Sequence, residues 1–292
     1  MGRNKQINMT PYTGVTVINQ SKSVIDSLYQ EKELELFGEL QGLPENQYIV
    51  CKDSSGTSSS ALAKVQKNKL ILLDSEISCQ SLTPRNKEQR MAMDALLDDT
   101  IKVVVLTGRA GTGKTLLTLA AALDRVEKKK YSRIILTRPM SWVGKHGLGA
   151  LPGDVDEKFR PYLQNYLCNL EFMLGGNPDA VVDLVHQYRI EFIPIQLIRG
   201  ASWHDAFIIA DEVQTLDYHE MVTLGTRVAE GSKLIVMGDL GQRDEKIKIE
   251  HTGIYKFVNS TGAKKSPLVA SLELIKSERS AVSQLFADVF EV

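Results

Sequence analysis

The chain has 292 residues, 43% of them hydrophobic and 24% charged, with a formal net charge of −1. Such a chain can bury a sizeable core, and no stretch approaches the ~18 uncharged apolar residues of a membrane span, so neither a membrane protein nor a disordered chain is expected. A near-neutral balance excludes bulk electrostatic attraction to nucleic acid and leaves only local patches to consider.

The opening residues, "MGRNKQINMT", carry no apolar run for secretion, so a cytoplasmic protein is expected. Residues 1–80 read as a small α+β or mostly β module. "SKSVIDSLYQEKELELF" has helical apolar spacing at Val24, Ile25 and Leu28, and "NQYIVCKD" and "KNKLILLD" read as short strands around the serine-rich turn "SSGTSSS". At "TPRNKEQRMAMDALLDD" the pattern turns helical, with Met91, Leu96 and Leu97 on one side, which places a domain boundary near Gln80. Cys51, Cys79 and Cys168 lack paired spacing and are expected to be packing residues rather than a disulfide framework or a zinc site.

Residues 81–292 alternate short apolar runs with helical segments: "IKVVVLTG", "SRIILTRP", "IEFIPIQLIRG", "AFIIADE", "KLIVMGD" and "LVASLEL". Continuously apolar strands separated by helices predict a mainly parallel sheet covered on both faces. An insertion at about 140–188 interrupts the series; it opens with the glycine-rich "WVGKHGLGALPGD" and continues as an amphipathic helix.

The first of these strands runs into Gly108-x-x-x-x-Gly113-Lys114-Thr115, which matches the phosphate-binding P-loop in full and makes the expected fold a RecA-like P-loop NTPase sandwich. Gly108, Gly111 and Gly113 allow backbone conformations that turn N–H groups inward, and the following helix adds its N-terminus. The candidate phosphate-binding residues are Gly108, Arg109, Ala110, Gly111, Thr112, Gly113, Lys114, Thr115 and Leu116. Lys114 would neutralise the β and γ phosphates and the Thr115 hydroxyl would ligate Mg²⁺, so the implied cofactors are ATP and Mg²⁺.

"AFIIADEVQ" ends an apolar strand in adjacent carboxylates, which are costly there unless they meet a cation or water. Asp211 suits a metal shell, and Glu212, expected on the other side of the strand, suits orientation or deprotonation of an attacking water. "IVMGDLGQRD" repeats the arrangement with Asp239 and Gln242, the latter a neutral amide able to sense a γ-phosphate. "LIKSERSAV" puts Arg279 between a strand and a helix, where a guanidinium could stabilise transition-state charge; the alternative is a surface ion pair with Glu278. From Arg125 to Lys145 seven basic residues meet the single acid Glu127; they are either a patch for RNA or, at Lys128 to Lys130, complements to a helix C-terminus.

Taken together, "PRNKEQ", "TGRAGTGKT", "RPMSWVGKHGLGALPGDVDEKFRPYLQNY", "LIRGASWHDAFIIADEVQ", "GDLGQRD" and "KSERS" closely resemble the PhoH family, which is related to the core of superfamily one helicases. The resemblance spans about residues 82–292. It implies that Gln89 contacts adenine, that Arg279 contacts phosphate, and that Arg138 and Arg199 belong to signatures associated with the site or with nucleic acid. Residues 12–80 are similar to the module preceding the ATPase core in longer members, which also carry a PIN ribonuclease domain. No such domain fits before residue 12, so ribonuclease activity is not carried over. Where the family usually reads DEAQN and GDxxQID, this chain has "DEVQTL" and "GDLGQRD", which keeps the acids and the glutamine but loses the Asn after Gln214.

The expected function is Mg²⁺-dependent ATP hydrolysis coupled to binding, and in one version unwinding, of single-stranded RNA. A regulatory stress-response ATPase without translocation is the alternative. Phosphotransfer to a small acceptor would use Lys114 and Thr115 but leave Glu212 and Gln242 without a task. A single core supplies only one wall of an ATP cleft, so a homo-oligomer is expected, hexameric as the resemblance suggests, with Arg279 or Arg227 as candidates to act across the interface.

Overall fold

The computed structural model describes residues 11–140, 155–243 and 248–289. The opening decapeptide, the glycine-rich start of the insertion, Lys145 and the Asp244 of "GDLGQRD" lie outside the described residues.

A first sheet is formed by β1 (Val15–Gln20), β2 (Glu33–Glu35), β3 (Tyr48–Asp53), β4 (Ser60–Gln66) and β5 (Lys69–Leu72), in the order β1-β3-β4-β5-β2, with α1 (Lys22–Glu31) packed on it. Only β1 and β3 run parallel; the other pairs are antiparallel. The expected continuation of α1 through "KELELF" does not occur. Lys32 turns to a left-handed φ of 65°, its N–H closes the helix on the Leu28 carbonyl, and "ELE" pairs with β5 instead. The strand β4, unforeseen after the serine-rich turn, follows from a hairpin. Lys67 and Asn68 both take positive φ, as a two-residue β-hairpin loop of the favoured twist requires, and both N–H groups donate to the Glu45 carboxylate.

The second sheet contains β6 (Val103–Gly108), β7 (Arg133–Thr137), β8 (Ile190–Phe192), β9 (Ala206–Ala210), β10 (Lys233–Gly238) and β11 (Val269–Leu274). Its order is β11-β6-β10-β9-β7-β8, and every neighbouring pair is parallel. This is the RecA-like α/β architecture read from the sequence. Side-chain alternation divides its core between two faces. Val104, Leu106, Ile209 and Met237 pack beneath α2 (Lys87–Leu97) and α3 (Lys114–Glu127), while Val105, Ile208 and Val236 pack against α6 (Tyr218–Gly225) and α7 (Gly253–Asn259). The insertion adds α4 (Val155–Met173) and α5 (Pro178–Gln187) on the α3 side; α8 (Thr261–Lys265) packs beside β11, and α9 (Ala281–Val289) follows β11 in the chain. The apolar run at β8 gives only three strand residues because Pro194 offers no N–H to a ladder.

The two sheets are joined by shared core and by polar bonds. Tyr48 and Val50 of β3 belong to the cluster containing Met91 and Met93 of α2, and the Tyr48 hydroxyl donates to Asp94 at 2.7 Å. Lys64 of β4, nearly buried, lies 2.9 Å from Asp94 and 2.8 Å from Asp98. Asn46 donates to the carbonyls of Pro267 and Val269 at the start of β11. Lys233 is fully buried and donates its three ammonium hydrogens to the carbonyls of Ala95, Leu96 and Asp98, closing the C-terminus of α2. Of the cysteines, Cys51 and Cys79 are buried as expected, but Cys168 on α4 is exposed. Among the described residues no helix is long and apolar enough to cross a membrane.

Lys64→Ala should leave two partly buried carboxylates without their cation. Removing one partner of such a cluster is expected to cost roughly 3 kcal/mol. Thermal unfolding followed by circular dichroism should show a midpoint lowered by several degrees; an unchanged midpoint would mean that solvent already compensates these acids.

Candidate nucleotide site

Because all six strands of the second sheet point the same way, the segments following them emerge at one edge. That edge carries the loop after β6, Arg138 after β7, Asp211 after β9, Asp239 after β10 and residues 275–280 after β11. Between them lies a cavity of about 840 Å³, within the size range of ligand pockets.

The loop from Gly108 to Gly113 forms its floor. Gly111 has a φ of 79°, and a Cβ there would lie 2.3 Å from the Cγ of Arg279, so the glycine is what allows the arginine to lie across the loop. Gly108 has a φ of 141°, and a Cβ on it would lie 2.1 Å from the Leu274 carbonyl oxygen of the neighbouring strand. Thr112 is buried and donates to the Arg109 carbonyl. Ala110, Gly111, Gly113, Lys114, Thr115 and Leu116 all face the cavity, with Gly113 as the N-cap of α3. Lys114 folds back to donate to the carbonyls of Gly108 at 2.6 Å and Arg109 at 3.0 Å. Burial lowers its pKa, and Asp239, Asp211 and Glu212 work against that lowering.

Asp211 is buried at the end of β9. Burial, reinforced by the neighbouring Glu212 charge, raises its carboxyl above the usual range, while the Glu212 N–H at 2.9 Å, Arg138 and Lys114 draw it back down. Glu212 is not turned aside by strand alternation, as the sequence suggested. The strand has ended at Ala210, and Glu212 takes a left-handed φ of 56° at the start of a short 3₁₀ turn. A non-glycine residue held there costs about 1–2 kcal/mol, and it persists because Gln214 pins it. The buried Gln214 donates to the Glu212 carboxylate at 2.6 Å and accepts from the Asp239 N–H at 3.1 Å, tying the ends of β9 and β10 together. Asp239 in turn accepts from the Gly241 N–H, which forms the turn that presents Gln242 to the cavity.

Gln89, at the start of α2, lines the opposite side of the cavity and is buried. Its amide already donates to the Thr112 carbonyl at 3.1 Å and accepts from the Arg85 N–H at 2.8 Å, so it braces the loop while keeping one donor and one acceptor position for a further partner. Arg279 does not pair with Glu278. Glu278 accepts from Asn86 and pairs with Lys276, its N–H donates to the Gly111 carbonyl, and Arg279 is left lying over the loop of its own chain.

Arg227 sits elsewhere. It follows α6 near the opposite edge of the sheet and donates to the Ala201 carbonyl. The basic stretch is likewise split. Arg125, Lys128 and Arg133 are engaged with Asp124, Asp99 and Glu191 near the edge away from the cavity, whereas Arg138 lies at the cavity edge, so the described part of the stretch is divided between the two edges of the sheet. Arg199 is exposed beyond β8.

Sequence reasoning missed the contribution of α4. Tyr166 is fully buried with its hydroxyl 3.4 Å from the Asp211 carboxylate, and burial, then the Asp211 charge, push its pKa far up. Asn165, Asn169 and Phe172 of the same helix line the cavity. The signal was available only as a spacing of four and three residues in "NYLCNLEF", which reads equally as an ordinary amphipathic face. Among the described residues no group of three or more His, Cys, Asp or Glu side chains is arranged to hold a metal ion by itself. The set that fits Mg²⁺ is one hydroxyl and one carboxylate, Thr115 and Asp211, which suits a hard cation that keeps waters and shares phosphate oxygens.

Residues 81–291 match a family model described as PhoH-like protein. Protein PhoH2 of Bacillus subtilis (strain 168) is 37% identical over 289 residues, covering 95% of this chain and 64% of the relative. Protein PhoH2 of Mycolicibacterium smegmatis is 33% identical over 291 residues, covering 98% of this chain and 64% of the relative. The chain thus spans a little under two thirds of these curated relatives. Among solved structures, the Pif1 helicase from Candida albicans is similar over 72% of this chain and 44% of its own, at 19% identity and a TM-score of 0.37.

Gly111→Ala should displace Arg279 and strain the loop at a positive φ, costing about 1–2 kcal/mol in stability. Nucleotide affinity, measured by calorimetry, is expected to fall at least tenfold while the protein remains folded. An alanine variant that binds as the parent does would show that the Arg279–loop contact is dispensable.

Proposed function

The chain belongs to the PhoH-like family, and we propose that it binds ATP with Mg²⁺ and hydrolyses it, with residues 81–292 as the ATPase core and residues 1–80 as an accompanying module. The observation that supports this most strongly is the convergence of a P-loop lysine, two consecutive carboxylates, an amide and an arginine on one cavity. In this reading the loop N–H groups from Gly108 to Thr115 hold the phosphates, and Lys114 leaves its two carbonyls to neutralise them. Thr115 and Asp211 would hold Mg²⁺, whose contribution is to offset charge on the phosphate oxygens.

Glu212 accepts a proton from water as its oxygen attacks the γ-phosphorus. The bond from that phosphorus to the bridging oxygen breaks, and ADP leaves with the electron pair. Gln242 orients the water or senses the γ-phosphate without adding negative charge. Arg279, already across the loop, stabilises the charge that develops. A small-molecule acceptor is not required, since Glu212 and Gln242 then have a substrate in water itself.

The coupled partner is proposed to be single-stranded RNA, on the strength of the family resemblance and of Arg138 at the cavity edge of the sheet, with Arg199 exposed beyond β8. Stimulation of ATP turnover by RNA separates this from a regulatory ATPase, whose turnover RNA would leave unchanged. A homo-oligomer, hexameric by the same resemblance, is proposed as the working form.

Lys114→Ala should lose nucleotide binding, whereas Glu212→Gln should bind ATP and hydrolyse it at least roughly 10²-fold more slowly, because shape is kept and only the proton acceptor is lost. Equilibrium binding and phosphate release on both variants check this; equal behaviour of the two would move the general base elsewhere.

Mixing Glu212→Gln with Arg279→Ala should restore no activity, since Arg279 lies over the loop of its own chain. Recovery on mixing, read as phosphate release across subunit ratios, would instead assign the arginine to a neighbour.

A further inference from the structure

We propose that α4 forms the outer wall of the base subsite and that Phe172 stacks on the purine. This rests on the ATP-binding reading above and extends it to a residue outside the P-loop, the carboxylate pair and the other motif residues. Asn165, Asn169 and Phe172 are spaced by four and three residues, so they share one face of α4, and all three line the cavity. Phe172 is 64% exposed, unusual for a large aromatic side chain, and among the described residues it is the one aromatic lining this cavity.

Its position along the cavity follows from the helix itself. Tyr166 marks the metal end, because its hydroxyl lies against Asp211. Phe172 is six residues further on, which in an α-helix is about 9 Å along the axis from Tyr166. The same cavity is lined by Leu116 and Leu117 of α3 and by Leu82 and Thr83, which precede the helix carrying Gln89. In the proposed pose a flat base has these Leu side chains and the solvent-exposed phenyl ring as its apolar partners. Base–aromatic stacking gains from the ring whatever the base, whereas the Gln89 amide supplies directional hydrogen bonds. Asn169, half exposed one turn before Phe172, adds a polar edge beside the ring.

The test compares ligands with and without a base. Phe172→Ala should raise the dissociation constant for ATP roughly tenfold, in line with the loss of one base–aromatic stack, and leave that for inorganic tripolyphosphate unchanged. Phe172→Trp should keep ATP affinity and show tryptophan quenching with ATP but not with tripolyphosphate. Since Phe172 is exposed, both variants should fold, as unchanged circular dichroism and melting temperature would confirm. If Phe172→Ala binds ATP as the parent does, or loses ATP and tripolyphosphate equally, α4 is not the base wall, while parental ATP hydrolysis keeps the broader reading. If the parent itself binds no ATP, both fall together.

Discussion

The site depends on how closely other parts of the chain approach the backbone of residues 108–113. Strand β11 presses the Leu274 carbonyl against Gly108, the Arg279 side chain crosses Gly111, and the Gln89 amide sits against Gly113, where a Cβ would lie 2.9 Å from its nitrogen. A side chain at Gly108 would meet backbone, and one at Gly111 or Gly113 would displace Arg279 or Gln89. The consequence is a loop fixed before any ligand arrives, since its conformation is held from β11, from the segment after β11 and from α2. Preorganised donors cost no reorganisation when charge appears, and a loop held in this way would favour a phosphate over water. Lys114 fits the same logic. Its ammonium rests on two loop carbonyls, partners that a phosphate oxygen can replace without stranding a buried cation.

The carboxylates are arranged with opposite economy. Asp211 is buried and its carboxyl raised, so its charged form is poorly supported by the protein alone, and Glu212 beside it makes matters worse. A cation relieves that repulsion directly. Gln214 decides the geometry of the pair: with one end on Glu212 and the other on the Asp239 N–H, it couples the general-base candidate to the turn that carries Gln242. A neutral amide can do this because it donates and accepts at once, which neither a carboxylate nor a lysine can. The left-handed backbone of Glu212 is the local cost of placing two acids side by side at a strand end.

Much of this was legible in the sequence, and for physical reasons. The six apolar runs of the core sheet are long, β-branched and separated by helices, so period and length agreed; "VVVLTGRAGTGKT" fixed both strand and loop because the glycines have few other uses. The N-terminal sheet was less legible. The helical spacing at Val24, Ile25 and Leu28 did not mark where the helix stops: Lys32 closes it with a left-handed residue and a carbonyl bond, and the alternating "ELEL" then begins a strand. In the site, the motif acids and Gln242 lie where strand ends predict. Tyr166, Asn169 and Phe172 were hidden because they come from an insertion whose packing on α3 decides which face meets the cavity. The place of Arg227 was illegible for a related reason: its sequence context resembles any helix end, and only the topology puts it near the edge opposite the cavity of its own chain.

The same geometry bears on how metal and nucleotide would enter. Three carboxylates, Asp211, Glu212 and Asp239, exert their charge on Lys114, and the positive charge of Arg279 opposes them there. A bare polyphosphate entering such a site meets net repulsion from the carboxylate side. Yet among the described residues the acids do not converge as a metal cage, so a divalent ion gains little by binding first. Each partner therefore lowers the cost of the other, the cation by screening Asp211 from phosphate and the phosphate by supplying oxygens that the protein lacks. Joint entry as a metal–nucleotide complex is the arrangement these charges favour. Tyr166 is compatible with it: at 3.4 Å its bond to Asp211 is long for an O–H···O contact, so the carboxylate can reorient toward an arriving cation without breaking a strong hydrogen bond.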